Sequence, residues 1–255
     1  MEVLCHRIVW SLVFSLMLLA ATGKLVELVR TLTTPRTFFG LLASGLCISI
    51  NWGAYIWAVG HDQALDASLA YFALPLVTLG LGVLLLREHL TLRQSIAVGV
   101  VLVAVAILGI QRGSLPWIVV VLPLSFGLYG YLRKLVAVDA MVGVTVETLL
   151  TTPFALAFLL TRPEGGALMT GTLTIKTLLV LCGPITTIPL VLFGFGARHL
   201  RLSTLGLLQY VNPTLQMIVA ATLLGEPLEP VRIASFALIW LGLAIYSVPI
   251  GRRAG

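Results

Sequence analysis

The sequence contains few charged residues. Asp, Glu, Lys and Arg make up 10% of its 255 residues, and hydrophobic residues make up 59%. Soluble globular domains carry about 25% charged residues. The mean hydropathy is +1.07, which is typical of a chain surrounded mainly by lipid. The composition therefore excludes an ordinary soluble domain, and the short polar segments between apolar runs leave no room for an inserted one.

The sequence also lacks the motifs of several enzyme and motor classes. Its cysteines, Cys5, Cys47 and Cys182, lie in apolar runs without CxxC spacing, so we expect reduced core residues rather than a disulfide framework. A GxxxxGK[ST] phosphate loop is missing, and the histidines show no metal-ligand spacing. We therefore expect no catalytic residues, no cofactor, no metal site and no ATP motor on this chain.

The apolar residues form nine long runs, each of roughly 20 residues and so long enough to cross a hydrocarbon core. Within lipid, only helices and closed barrels satisfy their backbone groups, and the runs are continuous rather than alternating. We therefore predict an all-α integral membrane protein, a helical bundle. The first run is predicted to be a retained span rather than a signal peptide, because Glu2 precedes it and Arg7 interrupts it. The predicted spans are 3–21, 37–59, 66–86, 92–110, 117–132, 141–160, 175–197, 202–224 and 231–250.

The basic residues fall in alternate loops rather than in one patch, which argues against a nucleic-acid partner. Of the sixteen lysines and arginines, eleven lie in one set of loops and four in the other set. The positive-inside rule places the richer set, and with it the C-terminus, in the cytoplasm. The predicted location is the plasma (inner) membrane, multi-pass. The richer set consists of Lys24, Arg30, Arg36, Arg87, Arg93, Arg133, Lys134, Arg198, Arg201, Arg252 and Arg253.

Two segments of the sequence, 67–90 and 205–228, resemble each other without a gap. Pro75 aligns with Pro213 and Glu88 with Glu226. Both pairs are separated by the same number of residues, and we call this separation the repeat offset. The span that carries Pro75 is predicted to run inward and the span that carries Pro213 outward. We therefore predict two inverted repeats with a binding site between them. The first repeat, 1–112, has four spans and lacks a counterpart of the first span of the second repeat, 113–255, which has five.

Two ionisable residues within the spans are candidates for function, because a charge inside the bilayer costs about 2.5–3.5 kcal/mol on insertion scales. Arg7 and Glu147 are separated by an interval close to the repeat offset, and we expect them to face each other across the central space. In the functional interpretation Arg7 engages a carboxylate or other acceptor on the substrate, and Glu147 takes up a proton or cation. A structural ion pair, or snorkelling of Arg7, is the alternative.

Further candidates for the cavity wall lie around the two aligned prolines. Pro75 and Pro213 each free the carbonyl four residues earlier, at Tyr71 and Gln209, and non-ideal backbone inside a membrane is tolerated where it lines a cavity. A packing kink explains the prolines equally well. The other polar candidates, for which helix packing or interhelical bonding is the alternative role, are Tyr210 and Asn212 beside Pro213, and Asn51 with Trp52 in the second span.

Six motifs together resemble the RarD group of the EamA family, in the drug/metabolite transporter superfamily. They are HRIVWS at 6–11, NWGAYIWAV at 51–59, ASLAYFALPLV at 67–77, SLPW at 114–117, FGLYGYLRK at 126–134 and RLSTLGLLQYVNPTLQ at 201–216. The resemblance runs the whole length of the chain. It implies a ten-helix inner-membrane protein of two inverted five-helix repeats, a permease from a group associated with chloramphenicol sensitivity. Relative to that pattern, the sequence lacks the first helix.

The leading hypothesis is a secondary permease or exporter of small organic molecules that exposes a central pocket alternately to the two sides of the membrane. Glu147 is the candidate for proton coupling. A non-transporting membrane scaffold is the alternative, followed by an intramembrane enzyme, for which the sequence offers no convincing nucleophile and base. The oligomeric state and the substrate stay open at this point.

Overall fold

The computed structural model describes residues 1–61, 63–112, 117–162, 166–223 and 230–247. Within these ranges the regular elements are all helices, which confirms the predicted all-α fold. They are α1 (Glu2–Ala21), α2 (Leu25–Thr33), α3 (Pro35–Val59), α4 (Ala64–Leu85), α5 (Leu92–Arg112), α6 (Trp117–Leu135), α7 (Ala140–Leu160), α8 (Gly166–Thr170), α9 (Leu173–His199), α10 (Leu202–Leu208), α11 (Val211–Leu223) and α12 (Pro230–Ser247).

Each predicted span coincides with helical structure to within a few residues, with one exception. The predicted span 202–224 is divided into α10 and α11. Five helices of the described chain are long and apolar enough to cross a membrane by themselves: α1, α3, α6, α7 and α9. Shorter apolar stretches lie in α4, α5 and α12. The short helices α2 and α8 lie outside the predicted spans.

Local chemistry explains where two of the helices begin. The Asp139 carboxylate accepts hydrogen bonds from the backbone N–H groups of Met141 and Val142 at the start of α7, and Lys24 lies 2.7 Å from it. Partial burial opposes ionisation, but the Lys24 bond and these N–H donors outweigh it and hold the pKa of Asp139 below its ordinary value. Pro35 occupies the first turn of α3, where its missing N–H has no helical partner to lose.

Small residues allow two pairs of helices to approach closely. A Cβ placed on Gly45 of α3 would lie 3.4 Å from the backbone of Glu147 in α7. A Cβ placed on Gly183 of α9 would lie 2.5 Å from the carbonyl oxygen of Trp10 in α1. Gly45 and Gly183 are themselves related by the repeat offset. Close backbone approach at small residues is the usual way in which membrane helices pack.

The outer surface of the bundle is apolar. Large hydrophobic side chains that are more than half exposed include Leu84, Phe154, Leu160 and Leu192. A soluble monomer rarely exposes apolar patches on this scale. The surface is therefore consistent with embedding in lipid.

Candidate functional site

A cavity of about 490 Å³ lies inside the bundle, within the size range of small-molecule sites. We call it the central cavity. Its walls come from α1, α3, α4 and α6 and from the segment in which α10 passes into α11. The lining residues are Arg7, Asn51, Trp52, Tyr55, Tyr71, Leu74, Phe126, Leu208, Gln209, Val211, Asn212 and Leu215.

One wall of the central cavity is formed where the helix is interrupted between α10 and α11. Pro213 has no N–H to donate to the Gln209 carbonyl, which accepts instead from the N–H of Asn212 at 3.1 Å. The N–H groups of Gln209 and Tyr210 also bond three residues back, to Gly206 and Leu207. These tighter bonds satisfy the backbone and turn it at Gln209 and Tyr210, a non-ideal geometry that is tolerated because it lines a cavity.

The wall beside this turn belongs to α4, which continues through Pro75 without a break. Tyr71 and Leu74 line the cavity from α4, as Gln209 and Asn212 do from the turn. Tyr71 aligns with Gln209, and Leu74 with Asn212, at the repeat offset. Aligned positions of the two repeated segments therefore line the same central cavity.

Arg7 reaches the central cavity from α1 and carries its positive charge there. Its Nε donates to Thr186 Oγ1 at 3.2 Å, and its Cζ lies 4.4 Å from the centre of the Trp52 ring. The face of an aromatic ring attracts a cation electrostatically. Thr186 and Trp52 therefore orient the guanidinium while it still lines the cavity.

Asn51, Tyr55 and Tyr71 complete the polar and aromatic lining. The Asn51 amide donates to the Leu122 carbonyl at 2.8 Å and to Ser125 Oγ at 3.1 Å, which ties α3 to α6. The rings of Tyr55 and Tyr71 meet edge to face with centroids 5.8 Å apart. Asn51 thus serves helix packing as well as the cavity wall.

Gln209 presents a hydrogen-bond donor that has no partner among the described residues. Its Oε1 accepts from Thr78 Oγ1 at 3.3 Å, whereas its buried Nε2 has no partner. A buried donor without an acceptor costs free energy, about 1–3 kcal/mol. Such a group in a cavity wall is typical of a site that a ligand completes.

Three of the predicted site residues are buried behind the wall rather than in it. Tyr210 is fully buried, and its hydroxyl donates to the Phe72 carbonyl at 3.0 Å. Pro75 and Pro213 are buried as well. A Cβ on Gly206 would lie 2.6 Å from the Pro75 carbonyl oxygen, so α4 and α10 are in backbone contact here. These residues shape the site through the helix crossing.

Glu147 does not face Arg7 across the cavity, which corrects the prediction. It is 2% exposed and accepts from Ser44 Oγ at 2.5 Å and from Tyr129 OH at 3.4 Å. Its cationic neighbour is Arg133, whose Nη1 lies 3.5 Å from Glu147 Oε1. The repeat offset indicates which helices correspond, but side-chain direction depends on helix rotation, and α7 turns Glu147 towards α3 and α6.

Arg133 is not among the predicted site residues, because hydropathy places the basic pair 133–134 in a loop. It is 0% exposed, and α6 extends beyond it to Leu135. Two glycines make room for it: a Cβ on Gly143 would overlap Arg133 Nη1, and one on Gly194 would lie 2.8 Å from Nη2. Arg133 Nη2 donates to the Ala140 carbonyl at 3.1 Å. We call Ser44, Tyr129, Arg133 and Glu147 the buried charge cluster.

Glu88 forms a contact that the sequence does not reveal. After α4 the chain turns at Arg87, whose φ is 53°, and Glu88 then accepts from the N–H groups of Leu202 and Ser203 at 2.7 and 2.9 Å. It also accepts from Ser203 Oγ at 2.6 Å. Partial burial opposes ionisation, but these bonds and the charge of Lys134 hold the pKa of Glu88 below its ordinary value. The equivalent Glu226 lies outside the described residues.

A family model described as the EamA-like transporter family matches residues 1–110. An uncharacterized transporter of Pseudomonas aeruginosa is 44% identical, covering 96% of this chain and 83% of that protein. Protein RarD of Escherichia coli is 37% identical over 96% of this chain and 84% of its own length. An uncharacterized transporter of Bacillus subtilis is 37% identical, covering 97% of this chain and 84% of that protein.

A solved crystal structure is also similar, with a TM-score of 0.75 at 17% sequence identity. The match covers 96% of this chain and 87% of that chain. At this identity the likeness concerns the fold alone. Groups of three or more His, Cys, Asp or Glu residues able to hold a metal ion are absent from the part of the chain that the structure describes.

Proposed function

This chain belongs to the RarD group of the EamA-like transporter family, whose members are membrane transporters of small molecules, and we propose that it is a secondary permease working by alternating access. In this proposal the central cavity opens to one side of the membrane at a time. A transport role, rather than an enzymatic one, agrees with the names of the relatives. Flux measurements in proteoliposomes decide the direction of transport, including whether the chain is an exporter.

The central cavity is the observation that carries this proposal. It lies at the crossing of α4 with the α10–α11 segment, and aligned positions of the two segments, such as Tyr71 and Gln209, line it together. In secondary transporters with inverted repeats, substrate sites lie near the bilayer midplane at the repeat interface, beside interrupted helices. The turn at Gln209 and Tyr210 matches that expectation.

In the proposed motion the two inverted repeats, 1–112 and 113–255, exchange conformations. The C-terminus lies in the cytoplasm in this proposal. The paired close approaches at Gly45 and Gly183 support this division, because α3 meets α7 as α9 meets α1. The bonds from Leu202 and Ser203 to Glu88 close one end of the same crossing. Rocking of one repeat against the other would open that end and close the opposite one.

Alternating access can be tested without knowing the substrate. In a variant whose three native cysteines are replaced, Leu74→Cys places a thiol on the cavity wall. A membrane-impermeant thiol reagent is expected to label it from either side of the membrane. The control is Leu102→Cys, half-exposed at the middle of α5, which lipid should shield from both sides. Labelling of Leu74→Cys from one side only would favour a non-transporting scaffold over a permease.

We further propose that an ion gradient drives transport and that Glu147 is the coupling residue. The buried charge cluster supports this role, because it links α3, in the first repeat, to α6 and α7, in the second. The bond that crosses between the repeats is the one from Ser44 Oγ to Glu147. Protonation of Glu147 would make its oxygen a weaker acceptor for Ser44 and would also neutralise the partner of Arg133. A carboxylate inside the bilayer is a typical proton site of membrane transporters.

The coupling role predicts that Glu147→Gln removes the pH dependence of flux in proteoliposomes. Gln keeps the size of the side chain and its ability to accept from Ser44, but it leaves the buried Arg133 without its counter-charge. A size-exclusion profile therefore establishes first that the variant is folded. Glu27→Gln is the matched control, because Glu27 lies on α2, outside the cluster. Flux by the Glu147→Gln variant with an unchanged pH profile would exclude Glu147 as the coupling residue.

A further inference from the structure

We propose that the central cavity binds an organic anion, in which a carboxylate or similar oxyanion is attached to a flat apolar body. The inference rests on the proposed function, because it names the substrate class of the same cavity. Four observations lead to it: a positioned cation, an unpartnered donor, the charges of the wall, and the aromatic surfaces.

The cation is Arg7, which is already held from two sides. Thr186 accepts the Nε hydrogen bond, and the guanidinium carbon lies over the Trp52 ring. Within the described part of the chain, neither terminal nitrogen of Arg7 hydrogen-bonds to another residue. A guanidinium offers parallel donors that match the two oxygens of a carboxylate. The terminal nitrogens are thus available to an oxyanion in the cavity.

The second donor is the Gln209 side-chain amide. Its oxygen is engaged by Thr78, which directs the unpartnered Nε2 away from Thr78. Arg7 and Gln209 stand on different helices and both line the central cavity. An acceptor group on the ligand would satisfy Gln209 Nε2 and so remove the free-energy cost of the buried donor.

The charge of the wall favours anions over cations. Among the described residues that line the cavity, Arg7 is charged and none is Asp or Glu. Glu147 does not supply a compensating charge here, because it is engaged within the buried charge cluster. An organic cation would meet a like charge in a site of low dielectric constant, which is strongly unfavourable.

The aromatic side chains define the rest of the ligand. Trp52, Tyr55, Tyr71 and Phe126 all line the cavity, and aromatic walls stack on flat apolar groups. The volume of about 490 Å³ falls in the lower half of the usual range for drug-sized ligands. A molecule with one or two fused rings and a single oxyanion fits this combination.

The test uses three probes of matched shape: naphthoate, naphthamide and naphthylmethylammonium. Binding to the purified protein in lipid nanodiscs is measured by isothermal titration calorimetry. We expect naphthoate to bind about 10- to 100-fold more tightly than the neutral amide, since a charge-assisted hydrogen bond replaces a neutral one. Naphthylmethylammonium should bind more weakly than both. A cation bound as tightly as the anion would overturn the proposal.

Two variants assign the effect to the named residues. Arg7→Gln is expected to remove the preference for naphthoate over naphthamide, and Gln209→Leu to weaken both probes by about three- to tenfold. Arg162→Gln is the control, because Arg162 also lies over an aromatic ring, Phe158, but does not line the cavity. If Arg7→Gln unfolds, Arg7→Lys must retain the anion preference at reduced affinity. Full anion preference in a folded Arg7→Gln protein would overturn the assignment.

Failure of this inference is distinguishable from failure of the proposed function. Labelling of Leu74→Cys from both sides reports alternating access whatever the substrate is. If that labelling occurs while the neutral or cationic probe binds best, the permease proposal stands and the anion proposal is wrong. If naphthoate binds with the expected preference while labelling is one-sided, the cavity is an anion site on a protein that does not transport by alternating access.

Discussion

The helix α4 and the segment α10–α11 carry their prolines at aligned positions, yet α4 is continuous and the other segment turns. Pro75 follows Leu74, and α4 runs on to Leu85. Pro213 follows Asn212, whose N–H bonds to the Gln209 carbonyl. A proline alone therefore does not decide whether a membrane helix breaks. The residues before the two prolines also differ, since Asn and Gln side chains can compete for helical backbone hydrogen bonds and Leu cannot.

The largest effect on stability is expected from a side chain that obstructs the close contact between the two segments. Gly206→Ala would place a Cβ 2.6 Å from the Pro75 carbonyl oxygen and 3.0 Å from the Leu79 nitrogen. Both are backbone atoms, so we expect a loss of about 2 kcal/mol or more in the free energy of unfolding. The measurement is unfolding in mixed detergent micelles.

Gly80→Ala is the matched control, because a Cβ there meets nothing within 4 Å. Replacing a helical Gly by Ala in open space is neutral or stabilises by up to about 1 kcal/mol. Equal stabilities of the two variants would show that α4 and α10 do not touch as described.

The next effect tests the difference between the prolines directly. Pro213→Ala supplies an N–H that can bond to the Gln209 carbonyl in place of the Asn212 N–H, so the turn should become more helical. Hydrogen exchange of the amides at 209–212 is expected to slow by about tenfold. Pro75→Ala should change exchange at 71–76 by less than about threefold, because α4 is already continuous. Similar slowing in both variants would mean that the prolines act alike.

A smaller effect is expected from the hydrogen bond that joins the two segments. Tyr210→Phe removes the hydroxyl that donates to the Phe72 carbonyl. Interhelical hydrogen bonds in membrane proteins contribute about 0.6 kcal/mol on average, so the loss in unfolding free energy should be about 0.5–1.5 kcal/mol. Tyr131→Phe is the control, since the Tyr131 hydroxyl lacks a hydrogen-bond partner within the described part of the chain. Equal unfolding free energies of the two variants would show that the Tyr210 hydrogen bond does not stabilise the protein.

The smallest effect concerns the Glu88 contact at the end of the same crossing. Glu88→Gln should lower stability by about 0.5–1 kcal/mol, as loss of a helix cap does. Because the pKa of Glu88 is lowered by folding, its stabilisation is complete above the ordinary glutamate pKa and disappears as the pH falls through the lowered value. The variant should therefore lose that acid dependence, measured by thermal unfolding between pH 3 and 7. Glu27→Gln should keep it.

Most of the fold is predictable from sequence because hydropathy records burial in lipid directly. Eight of the nine predicted spans agree to within a few residues with α1, α3, α4, α5, α6, α7, α9 and α12. Hydropathy misses α2 because Glu27 and Arg30 lower its mean value. Its sequence LVELVRTLT nevertheless has amphipathic spacing, and that pattern could have revealed it.

The site is less predictable, because it depends on how each helix is rotated about its axis. Residue type alone points to Arg7, Asn51, Trp52, Tyr71, Gln209 and Asn212, and these line the central cavity. The same reasoning places Glu147 there, but its side chain points into the buried charge cluster. The cluster itself depends on room provided by Gly143 and Gly194, which no local pattern marks as neighbours of Arg133.

The contact between Tyr210 and Phe72 joins two residues whose separation equals the repeat offset itself. If the repeats are related by a twofold axis, a residue that touches its own counterpart lies beside that axis, and points on an axis are not displaced when the two halves exchange roles. The contact would then persist in both inward- and outward-facing states. Covalent joining of positions 72 and 210 should leave turnover intact. Joining positions 88 and 203, which lie farther from the axis, should stop it.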